Sequence, residues 1–389
     1  MMSLNGWGYC YLAGAIRDER WPHCPVSIEA RKDPIFRGEV SDFLRQYPEL
    51  EIQMSNRVKI CPRCSKSCGM TLLACNNCSF DISFQPVERS DNALMGFIYG
   101  LEPFPTSIRY ESENFLVYDD LMQTTVIHLN SIPTNVYIPD FRYLFSNPEK
   151  GLEIIRNLFE AACQAAVGML ANDNFRDKYF STTAHNMINE IGLERFVKEN
   201  VLCGFNYPPS QCQLHLQFIL PPYVPYHAVL LATGKHSEME RFFVYEYVKE
   251  CLEQLVSRRI KLEISEIRDL NGRELIALMK SIVNADYYYA YHKAIRLHKK
   301  NENQFSNWNQ NDFEFVIVDR RIVLPVSVLD GREAIPANQM KVSDLVKQDR
   351  ITITSYGKGL GMQYYTYAKN PGQVQHWEDT IPIKSNSHS

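Results

Sequence analysis

A run of polar residues around His215 has the residue types and spacing for chemistry. From Gln213 to Phe218 polar and apolar residues alternate. A strand would therefore place Gln213, His215 and Gln217 on one face and the apolar side chains on the other. At about 3.3 Å per residue the three polar side chains span about 13 Å. An imidazole centred in such a row could act as a nucleophile or a base, although a half-solvated strand with a surface histidine gives the same pattern.

Two CxxC motifs form a second set of candidate residues. Cys61 and Cys64 make the first motif, and Cys75 and Cys78 make the second, with ten residues between the motifs. Each tight turn can direct two thiolates to one tetrahedral ion, so the spacing predicts a structural zinc site in a small zinc ribbon. Buried free cysteines would not explain the paired spacing. Cys68, between the motifs, could replace one ligand.

The composition restricts the class of protein. The chain has 389 residues, 45% of them hydrophobic, which is enough for two or three packed domains. A net charge of -4 gives no overall attraction to nucleic acid, so an RNA partner would need a local basic patch. No apolar run approaches the roughly 18 residues of a membrane span, and the first residues lack a targeting pattern. We expect a soluble intracellular protein without a membrane partner, in the cytoplasm or, less directly indicated, the nucleus.

The surrounding elements suggest how the polar row is positioned. Strand-like runs occur at 107–110, 115–118 and 124–129, with 135–138 closing the series, and a capped apolar helix follows from Asn147 and Pro148. A second helix is predicted over 238–256. We predict three regions: an N-terminal region at 1–92 with the zinc ribbon at 61–78, a nucleotide-binding domain at 93–260, and a C-terminal α+β extension at 261–389.

The run Ser-Gln-x-x-x-His-Leu-Gln-Phe from Ser210 to Phe218 resembles the active-site strand of the histidine triad and galactose-1-phosphate uridylyltransferase superfamily. It is most similar to the diadenosine tetraphosphate phosphorylase (ATP adenylyltransferase) branch, where the pattern reads Ser-Gln-Pro-His-x-His-Leu-Gln. The resemblance covers roughly residues 95–260. It implies an α+β fold, an antiparallel half-barrel with packed helices. The chain departs from the pattern at Gln213, where the family usually has histidine.

The resemblance also implies residue roles. His215 falls on the nucleophile, Ser210 on a phosphate-contacting serine and Gln217 on the trailing glutamine of the motif. The main-chain carbonyl at position 213 would orient the nucleophilic imidazole, and any residue type supplies a carbonyl. The expected nucleotide contacts are Asp119 (or, one residue on, Asp120), Asn206, Gln211 and Gln213.

Two functions follow from this resemblance. The first is a nucleotidyltransferase, phosphorylase or hydrolase that acts on nucleoside polyphosphates or dinucleoside polyphosphates through a nucleotidyl-histidine intermediate. Because members of the superfamily are often dimers, the resemblance also implies a homodimer as one assembly. Because Gln217 cannot donate a proton as a third histidine would, transfer from a good leaving group is favoured. The alternative is a protein that binds a nucleotide or an RNA end without turnover, and Gln213 keeps this alternative open.

Overall fold

The computed structural model describes residues 40–63, 67–75, 80–99, 101, 108–112, 114–120, 124–223, 237–302, 304–307, 315–318 and 322–325. Within these residues the protein is α+β with antiparallel sheets, as predicted. The described strands are β1 Ser55–Ile60, β2 Ser67–Gly69, β3 Glu88–Asp91, β4 Ile108–Glu111, β5 Phe115–Asp119, β6 Thr125–Pro133, β7 Leu202–Asn206, β8 Leu216–Tyr223, β9 Phe242–Val244, β10 Phe315–Val318 and β11 Ile322–Pro325.

The largest sheet has six strands in the order β4-β5-β6-β8-β7-β9, and every neighbouring pair is antiparallel. The first three strands form the predicted meander. The central strands β6 and β8 are buried along their whole length. Polar side chains on these two strands are therefore enclosed and need partners within the protein.

The described helices are α1 Val40–Gln46, α2 Ala93–Ile98, α3 Pro148–Leu170, α4 Asp173–Tyr179, α5 Thr182–Ile191, α6 Leu193–Asn200, α7 Tyr245–Arg258, α8 Ile264–Ile267, α9 Gly272–Val283 and α10 Tyr287–Glu302. The predicted cap of α3 is confirmed, because the Asn147 side chain accepts a hydrogen bond from the Lys150 N–H. Apolar residues of α3 pack on one face of the sheet, where the Phe159 and Phe218 rings lie 6.0 Å apart. No single described helix is long and apolar enough to cross a membrane; only the pair α3 and α4 together, bent by 87°, would meet that length and composition.

On the opposite face of the sheet, residues of β5 and β6 pack against the N-terminal region. Strands β2, β1 and β3 form a three-stranded antiparallel sheet, in that order. Phe43 of α1 and Met95 of α2 share a buried cluster with Leu116, Tyr118 and Ile132 of the large sheet. The N-terminal region and the large sheet therefore have a common core that crosses the predicted boundary at residue 92.

Three elements differ from the sequence predictions. The strand predicted from Gln213 begins at Leu216, and residues 135–138 form no strand. The Leu214 N–H donates to the Ile138 carbonyl at 2.6 Å, but the Ile138 N–H donates to the Gln213 side chain, so the two segments do not form a regular backbone ladder. The helix predicted from residue 238 begins at Tyr245, after strand β9. In the C-terminal region the structure describes the hairpin β10-β11.

Candidate functional site

His215 lies immediately before β8, half-buried at the end of the strand. Its Nδ1 is 2.7 Å from the main-chain carbonyl oxygen of Gln213. A carbonyl can only accept, so Nδ1 carries the proton and Nε2 keeps its lone pair. Burial lowers the pKa of His215 from its usual value, while the Gln213 carbonyl and the carboxylates of Asp120 and Asp140 act in the opposite direction. The ring is therefore neutral near pH 7, with a nucleophilic nitrogen available.

A chain of hydrogen-bonded side chains extends from Gln217 across the sheet. Gln217 lies opposite Asn130, and its Nε2 donates to the Asn130 Oδ1 at 2.7 Å. The Asn130 Nδ2 in turn donates to the Asp120 Oδ2 at 2.6 Å. These three side chains present amide N–H groups and a carboxylate along one face. Such a row can hold phosphate oxygens beside the amides and hydroxyl groups beside the carboxylate.

His128 is hydrogen-bonded to the other end of the Gln217 amide. This histidine is 1% exposed, and its Nε2 is 2.6 Å from the Gln217 Oε1. The Thr124 backbone N–H donates to the Nδ1 of His128 at 3.1 Å. Both ring nitrogens are therefore engaged with protein groups.

Asp119 and Asp120 face opposite sides of the sheet. The Asp120 N–H donates to the His128 carbonyl at 2.8 Å, which continues the β5–β6 ladder by one residue and turns the Asp120 side chain to the Gln217 face. Asp119 faces away, and its carboxylate accepts two hydrogen bonds from Arg109, at 2.8 and 2.6 Å. Of the two aspartates, Asp120 therefore lies on the face of Gln217, and the expected nucleotide contact Asp119 lies on the opposite face beside Arg109.

Gln213 does not offer its side chain to a ligand. The side chain is fully buried, and its Oε1 accepts from the Ile138 N–H at 3.1 Å. Its Nε2 donates to the carbonyl oxygens of Pro133 and Val136, at 2.7 and 2.9 Å. In the structure the carboxamide of this expected nucleotide contact holds the 133–138 segment, and the Gln213 carbonyl is bonded to His215.

Gln211 is likewise part of the scaffold. Its Oε1 accepts from the Ala93 N–H at the start of α2 and from the Asn56 Nδ2, at 2.9 and 3.2 Å. Asn56, fully buried on β1, also accepts from the Cys212 N–H at 2.7 Å. The side chain of Asn92 donates to the Cys212 carbonyl at 3.1 Å. Gln211, an expected nucleotide contact, thus connects the N-terminal region to the loop before His215 in this structure.

The same loop is held from two further directions. Tyr207 donates its hydroxyl to the Leu270 carbonyl at 2.5 Å, and the Arg142 guanidinium lies 4.4 Å from the Tyr207 ring centre. A Cβ on Gly69 of β2 would lie 2.6 Å from the Pro208 Cγ, so only glycine permits this approach of the N-terminal sheet. The backbone that carries His215 is fixed by three separate parts of the chain.

Asn206 and Ser210 are half-buried, and neither side chain hydrogen-bonds to a residue that the structure describes. Gly204 pairs with Gln217, so continuing the antiparallel register of β7 and β8 by two residues brings Asn206 level with His215 and onto the same face. Ser210 lies in the loop between these strands. Both polar groups remain available to a ligand.

The first cysteine of each motif lies directly after an antiparallel pairing. Cys61 directly follows β1, and Ile60 pairs with Ser67. Cys75 follows a bridge between Ala74 and Asp81, and its N–H donates to the Phe80 carbonyl at 2.8 Å. Cys61, Cys68 and Cys75 share a small buried cluster. Cys64 and Cys78 lie outside the described residues, and the described ones alone gather no group of three metal ligands.

The sequence interpretation missed His128 and Asn130. Their signal was present: two polar side chains separated by one residue, inside a run from Thr125 to Pro133 that is otherwise largely apolar. In a buried strand such polar residues require partners. The missing information was the neighbouring strand, since only the pairing of β6 with β8 brings Asn130 opposite Gln217.

No family model and no curated protein matches the chain. Solved structures of Hnt3 are similar to part of it. One described as Hnt3 has 12% identity and a TM-score of 0.27, over 53% of this chain and 96% of that chain. The aprataxin ortholog Hnt3 from Schizosaccharomyces pombe has 10% identity and a TM-score of 0.27, over 55% and 96%. Hnt3 in complex with DNA and guanosine has 14% identity and a TM-score of 0.21, over 53% and 97%. TM-scores this low carry neither fold nor function to this chain.

Proposed function

We propose that this protein is a nucleotidyltransferase of the histidine triad type, in which the Nε2 of His215 attacks the α-phosphorus of a nucleoside polyphosphate. One observation carries the proposal: the 2.7 Å hydrogen bond between Nδ1 of His215 and the Gln213 carbonyl. It fixes the tautomer, so the lone pair is on the ring nitrogen that points away from the backbone. The same bond stabilises the positive charge that the ring acquires when Nε2 forms a bond to phosphorus.

The reaction has two displacements at phosphorus. In the first, the Nε2–P bond forms while the bond from phosphorus to the bridging oxygen breaks, and the electron pair leaves with phosphate from a nucleoside diphosphate, pyrophosphate from a nucleoside triphosphate, or ATP from diadenosine tetraphosphate. In the second, an oxygen of phosphate, a nucleotide or water attacks, the P–N bond breaks and its electron pair returns to Nε2. The attacking oxygen loses its proton, if it carries one, to solvent. A covalent intermediate of this kind divides one difficult transfer into two easier steps.

The polar row supplies the remaining functions. The amide N–H of Gln217 and the Ser210 hydroxyl are proposed to hold non-bridging phosphate oxygens, with Asn206 near the reacting phosphate. Asp120 is proposed to accept hydrogen bonds from ribose hydroxyls. Gln217 has no acidic proton, so the leaving group must depart as a stable anion, as phosphate and pyrophosphate do.

Turnover is favoured over binding alone because the substitution at Gln213 leaves the reacting imidazole intact. The residue that departs from the family pattern still supplies its carbonyl to His215, and its side chain is occupied elsewhere.

The test is to incubate the full chain with ATP or diadenosine tetraphosphate radiolabelled at the α-phosphate. The expected result is a protein-bound label that is lost in acid, as phosphorus–nitrogen bonds are, and that passes to added phosphate. A protein that binds these nucleotides but never acquires the label would overturn the proposal in favour of the binding function.

We also propose that Cys61, Cys64, Cys75 and Cys78 hold one structural zinc ion. The described residues fit such a site, because Cys61 and Cys75 each directly follow an antiparallel pairing and are buried in one cluster. When bound, zinc would fix both turns through thiolate ligands. Metal analysis should give one zinc ion per chain, and Cys61→Ser should release it and lower the melting temperature. A Cys61→Ser/Cys75→Ser variant that retains its full zinc content would contradict this.

A further inference from the structure

The ring of His128 is held in one tautomer by its surroundings. The Thr124 backbone N–H can only donate, and it reaches the Nδ1 of His128 at 3.1 Å. Nδ1 therefore accepts, and the neutral ring carries its proton on Nε2. This is the opposite tautomer from His215, whose Nδ1 donates to a carbonyl.

The tautomer of His128 determines how the Gln217 carboxamide is oriented. The His128 Nε2–H donates to the Gln217 Oε1 at 2.6 Å, while the Gln217 Nε2 donates to the Asn130 Oδ1 at 2.7 Å. Rotating the amide by 180° would place an N–H against another N–H and an oxygen against another oxygen. Gln217 is 6% exposed, so water cannot relieve those contacts easily.

The oriented amide retains one N–H that donates to no described residue. An amide N–H attracts an anionic oxygen, whereas the oxygen of a flipped amide would repel it. The direction of the Gln217 amide thus decides whether the row beside His215 favours or disfavours a phosphate.

We propose that His128 is a positioning residue, which locks Gln217 so that its N–H, and not its oxygen, is offered to the phosphate oxygens beside His215. The inference rests on the proposed function. It assigns His128 no contact with substrate and no proton transfer. Its role is specificity for a ligand whose atoms at this point are hydrogen-bond acceptors.

Two substitutions separate this role from simple core packing. The amide nitrogen of His128→Gln lies near the place of Nε2 and can still donate to Gln217, but this variant loses the acceptor for the Thr124 N–H. His128→Asn ends near Nδ1 and can accept from Thr124, but it does not reach Gln217. Stability and activity should therefore follow opposite orders.

The experiment measures kcat/KM for diadenosine tetraphosphate and the melting temperature of both variants. We expect His128→Gln to lie within about 3-fold of the wild type in kcat/KM, and His128→Asn to fall at least about 10-fold, as for a lost oxyanion donor. His128→Asn should melt no lower than His128→Gln. Equal activities, or activities that follow the melting temperatures, would overturn the positioning role.

A second comparison removes the partner. In a Gln217→Ala background there is no amide to orient, so the two His128 substitutions should have indistinguishable kcat/KM values. A 10-fold difference in kcat/KM that persists in this background would contradict the positioning role of His128.

A measurement that needs no activity separates the two proposals. Nitrogen-15 NMR of the imidazole rings should show the protonated nitrogen of His128 at Nε2, and that of His215 at Nδ1. If the wild type never forms the acid-labile label, the proposed function fails. The positioning role of His128 is then tested only by the NMR signal of its ring. A proton on Nε2 of His128 would support it, and a proton on Nδ1 would overturn it.

Discussion

The two sides of the candidate site use their polar groups differently. On the sheet, His128, Gln217 and Asn130 are hydrogen-bonded to one another and buried. At the end of β7 and in the loop after it, Asn206 and Ser210 are half-buried and hydrogen-bond to none of the described residues. The comparison indicates that the two sides differ in preorganisation. The polar groups on the sheet have their directions fixed before a ligand binds, whereas those of Asn206 and Ser210 could take a ligand as their hydrogen-bond partner. Preset donors are the effective ones in catalysis, because they need no reorganisation.

The largest effect is expected where the two sides meet, at His215. His215→Ala removes the nucleophilic nitrogen but leaves the side chains of Gln217, Asn130 and Asp120 in place, so turnover should fall at least about 1,000-fold. Nucleotide affinity should stay within about 10-fold, because the other contacts remain. Turnover by steady-state kinetics and affinity by calorimetry check this, and a variant that turns over at the wild-type rate would contradict it.

Ser210→Ala tests the side of the site that is formed by Asn206 and Ser210. An unbonded, half-buried hydroxyl contributes little to stability, so the melting temperature should change by less than about 2 °C. The loss of a phosphate contact should lower kcat/KM by about 10-fold to 100-fold. Parallel losses of stability and activity would instead give Ser210 a structural role and remove the contrast between the two sides.

Gln213→Met tests the residues that hold the site in place. It should lower stability and retain the chemistry, whereas Ser210→Ala should lower activity and retain stability. Methionine fills a similar volume but leaves the Ile138 N–H and two carbonyls without their partner, so the free energy of unfolding should fall by about 2–4 kcal/mol. The main-chain carbonyl persists, so the folded variant should still acquire the acid-labile label. Denaturant unfolding measures the first effect. A stable variant without the label would show that the Gln213 side chain acts on the ligand after all.

The smallest expected effect is on pH dependence. Burial lowers the pKa of His215, so the reactive neutral ring should persist below the usual value of about 6.5. Labelling at pH 6.5 should exceed half of its plateau rate, and its midpoint should lie at lower pH. The stability of the folded chain should also decrease as the pH falls. His215 binds a proton more readily in the unfolded chain than in the folded one, so its contribution to stability declines below about pH 6.5. A labelling midpoint above pH 7 would contradict the lowered pKa.

The sequence predicted the α+β class, the first three strands of the meander and the capped helix. These depend on local signals: alternation and an asparagine cap before proline. It did not predict which of Asp119 and Asp120 shares a face with Gln217, because the faces of adjacent residues depend on the strand register. It did not predict that Gln211 and Gln213 serve the scaffold, since their partners lie 155 and about 77 residues away along the chain. Long-range pairing of this kind leaves no local pattern.

The central claim is that the Nε2 of His215 becomes covalently bonded to phosphorus. The most direct measurement is to trap the labelled wild-type chain at alkaline pH, where a phosphorus–nitrogen bond survives, digest it and locate the label by mass spectrometry. The proposal predicts a nucleotidyl group on the peptide that contains His215, attached through Nε2. A label on another residue, or free nucleotide product without any labelled peptide, would contradict it.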